Sequence, residues 1–232
     1  FEDFEIIIVE DGSDDSTPEI LKKMAEFDNR IKPFFPGRLG RAKALNYGLA
    51  HCKGQYLAIN DADDLSKPNR FEKQIEFLDE HSEVGLLGTG KEVHQGEKKW
   101  VSEIPVTDKE IRRHFVKGQP IQHSSVMFRK EVVDKVGGYN EDIEFLLDRD
   151  IFLRVAEHTK MYQINEPLIT LDRSDKQFFI HKFKGFERTR MSARYQLIAV
   201  DQFGFTPWLK LEIIAKLWYR AVLELKNRLV KK

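Results

Sequence analysis

The chain has 232 residues, 38 Lys+Arg against 38 Asp+Glu, and 41% hydrophobic residues. This length and balance exclude a low-complexity or disordered chain and allow a sizeable core without disulfides. Zero net charge argues against a bulk nucleic-acid binder, and a single cysteine, Cys52, excludes an intramolecular disulfide and fits a reducing, cytoplasmic setting. No apolar run is long enough for a membrane-spanning helix, and no signal peptide is expected. Phe1 leads almost at once into a strand, which reads as a start inside a longer reading frame.

Residues 5 to 9, Glu-Ile-Ile-Ile-Val, read as a strand buried on both faces. An acidic turn follows, Glu10-Asp11-Gly12-Ser13-Asp14-Asp15. Then comes a helix with Thr17 as N-cap, Pro18 at its first position, and an apolar face of Ile20, Leu21, Met24 and Phe27. Residues 31 to 35 suit a strand. The basic loop Gly37-Arg38-Leu39-Gly40-Arg41 enters a helix over about 42 to 51, and Gln55 to Ile59 is another buried strand. Strand, helix, strand, helix, strand is the pattern of a doubly wound α/β sheet.

Asn60-Asp61-Ala62-Asp63-Asp64 closes that strand, and Ser66 and Pro68 are expected to open a helix carrying Phe71, Ile75 and Leu78. A short strand over 84 to 89 precedes a polar hairpin or loop over 91 to 103. Thr107 and Glu110 form a capping box for a helix with Ile111 and Phe115. Ser124 to Phe128 reads as a strand, 130 to 136 as a helix ended by Gly137-Gly138, and about 148 to 158 as a helix. One or two short strands fall in 161 to 171, and helices follow from about Gly185, broken near Gly204 and Pro207.

Ligands of open α/β sheets bind beyond the carboxyl ends of the strands. Two acidic clusters lie there, Asp11 and the group Asp61, Asp63, Asp64. Three carboxylates in four residues repel one another unless solvent screens them or a cation sits among them. Hard oxygen donors of this kind suit Mg²⁺ or Mn²⁺, which would also hold a diphosphate. The plain alternative is a solvated turn in which Asp64 or Ser66 caps the next helix.

The text Ile6 to Thr17, Gly40-Arg41-Ala42-Lys43-Ala44-Leu45-Asn46, Asn60 to Asp64, Pro68-Asn69-Arg70-Phe71, His123 to Arg129, Gly137-Gly138-Tyr139 and Asp148 to Arg154 resembles, in order and spacing, a family 2 glycosyltransferase of the GT-A fold. The likeness covers about residues 1 to 172. It implies a Rossmann-like, mostly parallel α/β sheet flanked by helices, forming an inverting, metal-dependent catalytic domain over 1–172, with a basic helical extension over 173–232. It further implies a nucleotide-diphosphate sugar donor, with a UDP-sugar expected, and a saccharide or glycoconjugate acceptor. In this likeness Glu10, Asp11, Gly12, Ser13, Lys43, Asn46, Asp61 and Ala62 border the nucleotide sugar. Asp63 and Asp61 take Mn²⁺ or Mg²⁺, Asp148 is the base, and Asp150 is the neighbouring acid that positions acceptor or base. A base on one side of the reacting carbon and a cation on the leaving diphosphate are the minimum for direct displacement. Without these motifs, Asp148 reads as the N-cap of its helix and His123 as a satisfied structural residue.

The chain departs from the family in three places. The strand that usually precedes 5 to 9 is absent from this sequence. Leu147 stands where an acid usually precedes the base, leaving Asp142, Glu144 and Asp150 as rivals to Asp148. Asp172-Arg173-Ser174-Asp175 replaces a usual Tyr-Arg-x-His, so Asp175 or His181 would substitute for that histidine. These departures keep two other functions in view: a degenerate sugar-nucleotide-binding or scaffold domain, and a nucleotidyltransferase.

The zero net charge is a cancellation. Residues 1–172 hold 24 basic and 33 acidic residues, net −9, while 173–232 hold 14 and 5, net +9. Residues 206–232 mix Trp208, Leu211, Ile214, Leu217, Trp218, Val222, Leu225 and Leu229 with Lys210, Lys216, Arg220, Lys226, Arg228, Lys231 and Lys232. Such a helix either packs on the catalytic domain or a second subunit, as most amphipathic helices do, or lies on the cytoplasmic face of a membrane.

Overall fold

The computed structural model describes residues 2–173 and 185–230, so Asp175, His181, Lys231 and Lys232 lie outside the described residues, as do the side chains of Leu225, Lys226, Arg228 and Leu229. The chain divides into two compact units. The first comprises Phe1–Ala58, Phe71–Leu86 and Met127–Thr159, and the second Ile59–Arg70, Leu87–Val126 and Lys160–Lys232.

In the first unit β1 (Ile6–Val9) pairs in parallel with β2 (Ile31–Phe34), in register Ile6↔Ile31 to Val9↔Phe34, across α1 (Thr17–Phe27). Thr17 is the first helical residue rather than the cap. Ser16 occupies the N-cap without a side-chain bond, and Asp15 Oδ1 accepts the Thr17 N–H at 2.9 Å. The apolar stripe of α1 is largely uncovered: Leu21 is buried, but Ile20 and Met24 are exposed and Phe27 is 90% exposed. β1 is likewise only partly buried, so the sequence overstated its burial; three Ile in a row report β-propensity, not what lies on either face. α2 (Arg41–His51) packs on β1, where Gly48 lets the helix come close to Val9 and Ile7.

β3 (Tyr56–Ala58) pairs antiparallel with β7 (Met127–Arg129), and in this unit the strand order is β3-β7-β5, where β5 spans Val84–Gln95 and belongs to both units. α3 (Arg70–Glu80), α5 (Lys130–Val136) and α6 (Leu147–Val155) supply Leu78, Val133, Ile151 and Phe152 to a core that also holds Leu86 and Phe128. Arg129 caps the end of α3, its Nε donating to the Val84 carbonyl at 3.0 Å and its guanidinium to the carbonyls of Leu78 and His81.

In the second unit the order is β5-β8-β4, with β6 (Lys98–Val101) on β5. β4 (Asp64–Ser66) pairs antiparallel with β8 (Lys160–Asp172), from Asp64↔Leu171 to Ser66↔Ile169. This differs from the sequence reading, in which Ser66 opened a helix; α3 instead begins at Arg70. Three residues have no strand signature of their own and become one only by pairing with β8. β8 is one continuous strand through Pro167, not two short ones. β5 and β6 form the expected hairpin around Gly96, in register Glu92↔Val101 to Gln95↔Lys98. Ser124 and Ser125 lie in a 3-10 turn (His123–Ser125), not in the strand, which starts at Met127.

α4 (Asp108–Phe115) has the full capping box, with Glu110 N–H on Thr107 Oγ1 and Glu110 Oε2 accepting the Thr107 N–H at 2.9 Å. It packs on α7 (Gly185–Gln202), Phe115 meeting Phe203 just beyond the helix at 5.9 Å. α8 (Pro207–Val230) returns against α7: Ile213 joins Ala193 and Val200 in one cluster, with Leu209 and Leu217 beside it. The class is mixed α/β with a helical C-terminal part. β1–β2 is parallel, and β3–β7, β4–β8 and β5–β6 are antiparallel.

Candidate functional site

In the first unit, three of the expected donor-binding segments are built around backbone clasps. The Asp11 carboxylate accepts the N–H groups of Leu39 and Gly40, the latter at 3.0 Å, tying the loop after β1 to the start of α2. Gly40 is the N-cap of α2 at φ 87°, a left-handed conformation that a side chain would disfavour. Glu10 accepts the Ser13 N–H, and hydrogen bonds from the Ser13 side chain first and its N–H second hold the Glu10 carboxyl below the usual range. Arg38 donates to the Gly12 carbonyl. Lys43 is exposed on α2. Asn46 is a bracket to the turn after α5: its Oδ1 accepts the Tyr139 N–H at 2.8 Å, and its Nδ2 donates to the Tyr139 carbonyl and Glu141, both at 2.9 Å.

Asp148 and Asp150 lie in the first turn of α6. The N-cap is Leu146, not Asp148, and Leu146 has φ 61°, the one non-glycine left-handed residue among those described. Such a conformation costs roughly 1–2 kcal/mol, and strain of this kind gathers at functional sites. Asp148 Oδ1 accepts the Arg149 N–H at 2.9 Å. Asp150 is committed differently: Arg154 Nε donates to it at 2.8 Å, while the same guanidinium holds the carbonyls of Val136 and Gly138, each at 2.8 Å. Leu147 is 1% exposed, so the residue standing in for the usual acid belongs to the core.

In the second unit the acidic loop 60–64 is built from below. Arg70 is fully buried; its guanidinium donates to Ser66 Oγ at 2.7 Å, to the Ile59 carbonyl at 2.8 Å, and to Asn60 Oδ1 and the Val126 carbonyl, both at 3.3 Å. Ser66 Oγ donates on to Asn60 Oδ1 at 2.7 Å, and Asn60 Nδ2 reaches over the loop to the Asp61 carbonyl at 3.0 Å. Burial lowers the Arg70 guanidinium to about 10, which still leaves it charged at neutral pH. An Arg four residues beyond a Ser and ten beyond an Asn shows its purpose only once its burial is known.

Above this frame, Ser124 donates to the Asp64 carboxylate, and the buried His123 places Nδ1 3.6 Å from Asp61 Oδ1. Burial holds the Asp64 carboxyl up at about 6, and the charges of Asp61 and Asp63 push it the same way against the Ser124 bond. Ala62 and Asp63 are exposed at the tip of the loop. Lys91, lowered by burial and by Arg173, adds a positive charge that acts on Asp64. Among the described residues no three His, Cys, Asp or Glu side chains converge into a cation cage of their own. Asp61 and Asp63 nonetheless offer carboxylate oxygens, the donor type that suits a hard divalent cation.

Residues 1–137 match Glycosyl transferase family 2. The amylovoran biosynthesis glycosyltransferase AmsE of Erwinia amylovora is 33% identical over 208 residues, covering 87% of this chain and 76% of that protein. The O-antigen biosynthesis glycosyltransferase WbnJ of Escherichia coli is 30% identical over 162 residues, covering 67% of this chain and 61% of that protein. Two solved structures share the fold. TarS of S. aureus, in complex with UDP-GlcNAc, has a TM-score of 0.67 at 16% identity, over 94% of this chain and 63% of that one. The mannosyltransferase PcManGT of Pyrobaculum calidifontis, in complex with GDP-Man and Mn²⁺, has a TM-score of 0.57 at 18% identity, over 92% of this chain and 60% of that one. The chain belongs to glycosyl transferase family 2 and has a GT-A type fold. It spans less than two thirds of the length of several of the relatives and structures it matches.

Proposed function

We propose that this chain carries the catalytic part of an inverting glycosyltransferase, residues 1–172, with residues 173–232 as a helical extension. It transfers a sugar from a nucleotide-diphosphate donor, a UDP-sugar, to a hydroxyl of a saccharide or glycoconjugate in polysaccharide assembly. Asp63 and Asp61 hold Mn²⁺ or Mg²⁺, which when bound offsets charge on the departing diphosphate. Asp148 accepts the proton of the attacking hydroxyl as its oxygen bonds to the anomeric carbon and the bond to the diphosphate breaks. Asp150, bound by Arg154, fixes the first turn that presents Asp148. The loops at Asp11 and Asn46 shape the donor side.

The observation that carries the reading is the acidic loop after β3, with Asp64 kept near pKa 6 beside two further carboxylates and braced by Arg70. Proteins build such a like-charge cluster on a rigid frame where a cation is to be received. The amylovoran and O-antigen biosynthesis roles of AmsE and WbnJ, and the nucleotide sugars held by the two structural neighbours, add support.

Titration calorimetry of UDP- and GDP-sugars on the chain, with Mn²⁺ and with EDTA, tests it. Binding that needs Mn²⁺ and is lost in Asp63→Asn is expected; donor binding indifferent to both would refute the metal role. A donor-binding domain without transfer is the second reading, favoured by the buried Leu147, and it predicts binding without turnover.

A further inference from the structure

Beyond this proposed reaction, the outer side of α8 carries an assignment of its own. One side of the helix is buried through Ile213, with Leu209 and Leu217 packed beside it. On the other, Trp208, Leu211, Ile214, Trp218, Tyr219 and Val222 are exposed, Trp208 at 78% and Trp218 at 69%. At 3.6 residues per turn these six fall within an arc of about 140°, and no charged residue of 207–223 falls inside it. Single exposed apolar residues are ordinary; a contiguous stripe with three aromatics is a surface that something covers.

Charge decides between the occupants. Residues 173–232 carry net +9, and Arg188, Arg190 and Arg194 of α7 and Arg220 of α8 are exposed. Two copies joined through this segment would bring +9 against +9. An anionic lipid surface attracts it, by roughly 1 kcal/mol for each nearby Lys or Arg. Trp and Tyr are the side chains that settle at the boundary of headgroups and acyl chains. No described helix is long and apolar enough to cross a membrane, so the contact is with the surface.

We propose that α8 lies in the plane of an anionic membrane surface, with Trp208, Leu211, Trp218 and Val222 seated below the headgroups and the net positive charge of 173–232 supplying the attraction to anionic lipid. The full chain would be sedimented with vesicles of phosphatidylcholine alone and of phosphatidylcholine with one third phosphatidylglycerol, at low and high salt. At least about tenfold stronger pelleting with the anionic vesicles, weakened by salt, is expected. Trp218 emission, isolated by replacing Trp100 and Trp208 with Phe, should shift to the blue and be quenched by brominated lipid. Leu211→Glu with Trp218→Glu should reduce pelleting to the neutral-vesicle level while leaving the circular dichroism melt unchanged, since both side chains are exposed. No preference for anionic vesicles in the unsubstituted chain overturns the proposal. So does a concentration-dependent dimer in light scattering that the double substitution dissociates without any vesicle binding; that result assigns the face to a second copy.

Discussion

Arg70 donates to Ser66 Oγ at 2.7 Å, and the same hydroxyl donates on to Asn60 Oδ1 at 2.7 Å. A strand residue, a loop residue and the first residue of a helix are thereby fixed to one another directly beneath Asp61, Asp63 and Asp64. A charged frame holding an acidic loop makes the position of the carboxylates a property of the core rather than of the solvent-exposed tip.

Replacing Arg70 therefore acts on both stability and the cation. Arg70→Ala leaves the carbonyls of Ile59 and Val126 buried without their donor, and a loss of about 3 kcal/mol in urea unfolding is expected. Arg70→Lys keeps the charge but not the planar fork. It should recover part of the stability while raising the Mn²⁺ concentration needed for half-maximal donor binding. Equal Mn²⁺ dependence in the Lys variant and the unsubstituted chain would confine Arg70 to a packing role.

Asp64 sets a pH dependence of stability in the metal-free chain. Its folded value of about 6 lies above the ordinary 3.8, so between those values the folded state holds the proton more tightly than the unfolded state does. The protonated carboxyl favours the folded state, and stability contributed by Asp64 falls as pH rises from about 4 to about 6. Urea midpoints measured in EDTA across this range should decline through it for the unsubstituted chain, and Asp64→Asn should remove that part of the slope. An unchanged slope would place the raised carboxyl elsewhere.

Gly138 has φ 71°, and a Cβ there would stand 2.6 Å from Asn46 Oδ1. Gly138→Ala should cost about 1–3 kcal/mol. Adding Asn46→Ala opens space for the methyl, so the double variant should be less destabilised than the sum of the singles in thermal melts. Simple additivity would mean that the backbone conformation alone, and not the Asn46 bracket, accounts for the cost.

The legible parts of the chain are those whose cause is local. The Thr107–Glu110 capping box, the αL stop at Gly137 after α5 and the hairpin at Gly96 each follow from a few neighbouring side chains. The strand β4 was not legible, because Asp64-Leu65-Ser66 is extended only through its ladder to β8. The apolar face of α1 was legible as a periodicity, but periodicity does not state what covers Phe27. At the site, the acidic loop and Asp148 stand out by type and position. The work of Arg70, Ser124 and Lys91 depends on burial and on partners far away in sequence, Ser124 being 60 positions from Asp64. The Asp150–Arg154 ion pair is an i,i+4 pair that the sequence offers; what it does not offer is the hold of the same guanidinium on the carbonyls of Val136 and Gly138.

Those two acids of α6 should separate in kinetics. Asp150→Asn removes one partner of the Arg154 clasp, so a modest loss of melting temperature and a partial loss of turnover are expected, with the pH profile unchanged. A fall in turnover as large as that of the base itself would make Asp150 the proton acceptor instead.

The account's central claim is proton removal by Asp148 in sugar transfer. It is tested most directly by turnover of a nucleotide sugar onto a panel of hydroxyl acceptors with Mn²⁺, for the unsubstituted chain and Asp148→Asn. The account predicts a fall in kcat of about 10²- to 10⁴-fold with little change in donor KM or melting temperature. Transfer at the unsubstituted rate by Asp148→Asn would contradict it.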